Sequence, residues 1–132
     1  MQDPTSGEGI VTVASQHGVD DTVAKLLATI DERKLLLFAR IDFHADAARA
    51  GLTMNPSQLV VFGNPRAGTP LMQACPTAAL DLPLKALIWQ DDDGRAWVSY
   101  NAPDWLQRRH HASDELIKPL AAIEALVGLA TQ

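Results

Sequence analysis

The chain has 132 residues and a mass of 14.3 kDa, with 47% hydrophobic residues, a size and composition that fit one globular domain with a real core and require no second. A formal charge of -5 and an isoelectric point near 5.2 argue against a protein dominated by nucleic-acid phosphate contacts, and no apolar run approaches the roughly 20 residues that span a bilayer. Cys75 is the single cysteine, which rules out an intrachain disulfide or a cysteine-cluster zinc motif and favours a reducing, cytoplasmic compartment.

Residues 1–9 carry neither the positive opening nor the apolar run of a secretory signal and read as a flexible arm, leaving 10–132 as a single α+β domain. Ile10 to Ala14 predicts a strand, and Val19, Val23, Leu26, Leu27 and Ile30 then recur at helical spacing. Asp20 and Asp21 suit the positive end of that helix dipole, and Arg33 and Lys34 its other end. Leu35 to Asp42 reads as a second strand, apolar enough to be central or covered, followed by a short helix around Ala45 to Ala50 that stops at Gly51.

A third strand begins after Pro56 and runs to Phe62. The segment Gly63-Asn64-Pro65-Arg66-Ala67-Gly68-Thr69 follows, and a short helix is expected from Pro70 to Cys75, with Thr69 as its N-cap. Leu84 to Gln90 and Arg95 to Tyr100 form the clearest hairpin, because Asp91-Asp92-Asp93-Gly94 supplies turn residues between two β-prone runs. Ala102 to Arg109 reads as a short helix, and Leu116, Leu120, Ile123 and Val127 mark a C-terminal helix that Pro119 either starts or kinks.

The order β-α-β-β-β-β-α predicts an antiparallel sheet with two helices on one face and short helices inserted in the connections. Leu87 and Trp89 share one side of the fourth strand while Leu84, Ala86 and Ile88 share the other, so both sides carry apolar residues. A homodimer or an inserted segment is expected to cover the second side.

Phe62 to Met72, Asp81-Leu82-Pro83-Leu84-Lys85 and Trp97-Val98-Ser99-Tyr100-Asn101 closely resemble the prokaryotic "domain of unknown function 302" family over nearly the whole chain. Ile41-Asp42-Phe43-His44 is similar to that family's pattern too, except that Phe43 separates Asp42 from His44. The resemblance implies a TATA-binding-protein-like β-α-β4-α arrangement, commonly dimeric, and implies no DNA binding, since fold alone does not carry function.

The Gly63–Thr69 segment has two readings: a structural turn with a helix cap, and an anion cradle in which Asn64, Arg66 and Thr69 orient a carboxylate or phosphate. Neither Gly-x-Gly-x-x-Gly nor Gly-x-x-x-x-Gly-Lys-Ser/Thr occurs, which speaks against a nucleotide. His44 reads as a titrating group or a loop hydrogen-bonder. Lys85 and Tyr100 are candidates to face a common pocket across the hairpin, giving an enzyme reading in which His44 acts with one of them. A soft-metal set of His44, Met72 and Cys75 is weaker than ordinary core roles for the two sulfurs. The favoured function is a noncatalytic or sensory domain binding a small, anionic molecule, with no nucleic-acid or membrane partner, against a dimerisation or protein-interaction module anchored by Trp89 and Trp97.

Overall fold

In the computed structural model, which describes residues 7–132, the elements follow as β1 (Ile10–Ala14), α1 (Val19–Glu32), β2 (Leu36–Asp42), α2 (Phe43–Arg49), β3 (Ser57–Gly63) and α3 (Pro65–Ala74). After a 3-10 turn over Pro76–Leu80 come β4 (Leu84–Gln90), β5 (Ala96–Asn101), α4 (Pro103–His110) and α5 (Asp114–Ile117). A second 3-10 turn, Lys118–Ala121, leads into α6 (Ala122–Thr131). The five strands make one sheet in the order β1-β5-β4-β3-β2, with every neighbouring pair antiparallel. The fold class is therefore α+β, as the element order predicts.

One sheet face and two helices build the main core. Val60 and Phe62 of β3, Ala86 and Ile88 of β4, and Val98 and Tyr100 of β5 point to the same side at the period of two that a pleated strand imposes. Against them pack Val23, Leu26 and Ile30 of α1 and Ile123, Leu126 and Val127 of α6, each at most 3% exposed. Burying an aliphatic side chain of this kind contributes roughly 1.5–3 kcal/mol, so this layer holds the helices to the sheet. Pro119 falls in the 3-10 turn between α5 and α6, where a missing backbone donor is tolerated, so the expected C-terminal helix is broken in two.

The other sheet face carries Leu59, Val61, Leu87 and Trp89, all half-buried, so both sides of β4 are apolar as expected. Trp89 and Trp97 occupy paired positions on this face and stack with centroids 6.5 Å apart. The Trp89 Nε1 donates to Ser99 Oγ at 2.9 Å, and Trp97 Nε1 donates to Asp91 Oδ2 at 2.8 Å. Trp97 is 1% exposed.

Two local expectations change. β2 is an outer strand, not a central one, and its Leu36, Leu37 and Phe38 are each 49% exposed. Of that run, Phe38 lines a cavity beside the sheet. The helix expected from Pro70 begins instead at Pro65, with Asn64 as N-cap, because Asn-Pro satisfies the same cap-then-proline rule five residues earlier. Thr69 and Pro70 consequently lie inside the helix.

The expected arm lies mostly outside the described residues, and its last residue is bound to the domain. The Gly9 carbonyl accepts the Ala102 amide at 2.7 Å. Gly9 has φ +76, and a Cβ added there would sit 2.2 Å from the Trp105 ring, so only glycine fits.

Candidate functional site

Asn64 organises the strand-to-helix junction. Its side-chain oxygen accepts the Arg66 amide at 3.0 Å, while its backbone oxygen accepts the Ala67 and Gly68 amides at 2.9 and 3.0 Å. Pro65 has no amide to offer, so the first-turn donors that make helix N-termini attractive to anions are already satisfied by the chain itself. Neither Gly63 nor Gly68 adopts a positive φ, and Gly68 is a helical residue. The junction is a self-capped turn.

Beside this junction lies a cavity of about 480 Å³, between α3, the start of β2, the segment from Ala79 to Leu84, and the region from Pro119 to Leu126. Its wall is mainly apolar, with Leu35, Phe38, Met72, Leu82, Leu84 and Leu126 contributing side chains. Asn64 and Thr69 are its two polar lining side chains, and both are exposed, placing them at the rim. Arg66 is exposed between the lining residues Pro65 and Ala67 and has no ion pair among the described residues. Of the expected ligand residues, the structure thus brings together Asn64 and Thr69 in the cavity lining, while Arg66 lies outside that lining.

His44, Lys85 and Tyr100 do not join them. His44 sits in the first turn of α2, exposed, with Nδ1 2.5 Å from the Met54 carbonyl oxygen. That helix is capped by Asp42, whose Oδ1 accepts the Ala45 amide at 2.9 Å. His44 lines a second, polar cleft of about 540 Å³ with Asp20, Asp21, Asp42 and Gln58, at the end of the sheet where β4 finishes with Gln90. Lys85 is the second residue of β4, and five residue steps of strand separate it from Gln90 by about 17 Å.

The expected pairing of Lys85 with Tyr100 fails for a register reason. Leu87 lies opposite Ser99, which sets Tyr100 on the side of Ala86 and Ile88, in the helix-covered core, and Lys85 on the other side of the sheet. Burial pushes the Tyr100 phenol above its ordinary value, with Glu124 adding to the rise. Burial also lowers the Lys85 ammonium, which Asp81 partly offsets, and Lys85 Nζ donates to the Pro83 carbonyl oxygen at 3.2 Å. These three side chains make no acid-base constellation. The soft-metal set separates as well: His44 borders the polar cleft, Met72 lines the apolar cavity, and Cys75 packs with Leu71, Ala78 and Leu106 in a second core cluster.

One cluster has no counterpart in the sequence reading. Asp81 accepts two bonds from Arg109 Nη1, at 3.0 and 3.1 Å, and lies 2.5 Å from His110 Nε2, while His110 Nδ1 is 3.1 Å from Thr77 Oγ1. Arg109 also stands over the Trp105 ring at 5.3 Å. Both nitrogens of His110 are occupied and its side chain is 4% exposed, so the cluster ties the Pro76–Leu80 turn to α4. The Arg-Arg-His-His run reads as a solvated helix end, and its separation from Asp81 by 28 residues hides the pairing.

A 115-residue stretch, 85% of the chain, is 43% identical to a protein of Brucella suis biovar 1 (strain 1330) named "Fluoride-specific ion channel FluC 1" and covers 45% of that protein. The same identity and length hold for "Fluoride-specific ion channel FluC 2" of Brucella melitensis biotype 1, of which 43% is covered. The chain thus spans about half the length of the curated relatives it matches, and among the described residues no helix is long and apolar enough to cross a membrane. A crystal structure of an uncharacterized conserved DUF302 protein from Bacillus stearothermophilus superimposes with a TM-score of 0.76 at 17% identity, covering 95% of this chain and 97% of that one. At that identity the likeness shows the fold alone. Residues 11–128 match the family model for "Domain of unknown function DUF302", and the chain belongs to that family.

Proposed function

We propose that the chain is a noncatalytic, sensory small-molecule-binding domain whose site is the cavity beside the Asn64-capped junction. The observation that carries this reading is the cavity itself: about 480 Å³, within the roughly 300–1,000 Å³ range of small-molecule sites, with an apolar wall and a few polar groups at its rim. Arg66, exposed and without an ion pair among the described residues, supplies the charge for an anionic group. A thermal-shift screen of organic anions tests it. At least one compound should raise the melting temperature, and Arg66→Ala should weaken that response while leaving the unliganded melting temperature unchanged. An undiminished response in the variant removes Arg66 from the site.

The chain acts in this reading as a cytoplasmic homodimer, joined through the apolar sheet face of Leu59, Val61, Leu87 and Trp89. Their half-burial in one protomer supports that assembly. Sedimentation as a monomer at micromolar concentration would remove it.

A second reading rests on the 43% identity to part of proteins named fluoride-specific ion channels. It makes the domain an accessory that responds to a ligand beside such a channel. Fluoride efflux from vesicles containing a FluC channel should then change when the chain is added, and unchanged efflux would sink this reading.

A further inference from the structure

We infer that the cavity takes a flexible hydrocarbon chain ending in a single carboxylate, rather than a compact hydrophilic anion. This inference rests on the small-molecule reading of the same cavity and names its ligand class. Two observations carry it. The first is the lining: Leu35, Phe38, Met72, Leu82, Leu84 and Leu126 offer dispersion contact and no hydrogen bonds. A phosphate or small dicarboxylate placed among them would lose its water without gaining partners.

The second is the closed account of donors at the junction. The Arg66, Ala67 and Gly68 amides are all bonded to Asn64, so no backbone cradle is left for a multiply charged group. What remains is the hydroxyl of Thr69 and the amide of Asn64 in the lining, and one exposed guanidinium, Arg66, which is outside the lining but next in the chain to the lining residues Pro65 and Ala67. One carboxylate matches that charge, and a guanidinium meets a carboxylate with two parallel bonds. Phe38, half-exposed on the outer strand while also lining the cavity, gives the hydrocarbon its way in past the strand edge.

The test is calorimetric titration of the protein with straight-chain carboxylates from hexanoate to dodecanoate, each below its micelle concentration. Affinity should rise about fourfold for each added methylene until the cavity is filled, the increment expected from burying one CH₂. Phe38→Glu should weaken dodecanoate at least tenfold, and because Phe38 is half-exposed the fold should tolerate the change. Should that variant unfold, Ala67→Trp, which narrows the cavity from the helix side, serves instead. Arg66→Ala should bring dodecanoate down to the affinity of dodecanol.

Affinity independent of chain length, together with Arg66-dependent binding of inorganic phosphate or succinate, would overturn this ligand class and leave the binding-domain reading standing. Binding of neither class would overturn both. Cosedimentation with phosphatidylglycerol vesicles without binding of monomeric carboxylates would overturn it in favour of a lipid surface.

Discussion

The side-chain oxygen of Asn64 accepts the backbone amide of Arg66 at 3.0 Å and so caps the start of α3. Replacing the cap leaves that amide unpaired at an exposed helix start. Asn64→Ala should lower stability by about 1 kcal/mol, while Asn64→Asp, which keeps an acceptor at the same position, should cost only a few tenths. Chemical denaturation of the two variants beside the parent checks this, and equal losses would show that the cap does not hold the helix.

Gly68 and Gly9 should respond in opposite directions to alanine. Gly68 is helical with a negative φ, and a Cβ there would meet Leu82 Cδ1 and Met72 Cε at an ordinary 3.8 Å. Gly68→Ala should therefore stabilise by roughly 0.5–1 kcal/mol through the lower entropy of the unfolded chain. Gly9→Ala meets the Trp105 ring and a left-handed backbone together, and should cost at least about 1–3 kcal/mol. Melting temperatures that move in the same direction would contradict this placement.

Removing the charge of Asp81 should loosen the Pro76–Leu80 turn from α4. The Asp81 side chain is 13% exposed and serves Arg109 and His110 at once, so Asp81→Asn should cost roughly 1–3 kcal/mol. Arg109→Gln, which removes the more exposed partner, should cost less. Hydrogen exchange should rise at residues 76–80 and 103–110 in the Asp81 variant before it rises in the sheet, and a uniform rise would instead mean global destabilisation.

Tyr100 and Asp91 bound stability at opposite ends of the pH scale. The Tyr100 phenol is raised above its ordinary 10.0, so the folded state holds that proton more tightly than the unfolded state. Its contribution is complete below pH 10.0 and declines as pH rises toward and through the folded value. Lys85, lowered from 10.5, acts with the opposite sign below that value, because deprotonation relieves its burial cost. Denaturation midpoints of Tyr100→Phe and Lys85→Met between pH 9 and 11 should separate the two, with the alkaline loss reduced in the tyrosine variant.

Asp91 is depressed below 3.8, chiefly by the bond from the Trp97 indole and then by the Arg95 amide. Its contribution is present above pH 3.8 and lost as pH falls through the folded value. The Trp97 fluorescence should change in that acid range in the parent and stay constant in Asp91→Asn. An identical acid transition in both would assign it to another carboxylate.

Much of the fold is set by residues close together in the chain. The 3.6-residue spacing of Val19, Val23, Leu26 and Ile30 makes α1, the Asp91–Gly94 turn makes the β4-β5 hairpin, and alternation along β4 shows that both sheet faces are apolar. The Gly63–Thr69 segment is legible as a junction, yet two cap-then-proline pairs compete within it. Packing of α3 around Leu71 and the satisfaction of three amides by Asn64 select the first.

Only the tertiary structure decided what depends on register and on contacts distant in sequence. One residue of strand alternation sends Lys85 and Tyr100 to opposite faces, and a strand's position at the sheet edge leaves Leu36, Leu37 and Phe38 exposed despite their hydrophobicity. The cavity is assembled from α3, the start of β2, the turn before β4 and the approach to α6, so no short motif announces it. Local spacing sets local structure because its interactions lie within a turn or two of chain. A pocket wall is set by which distant surfaces meet, and that is fixed only when the core closes.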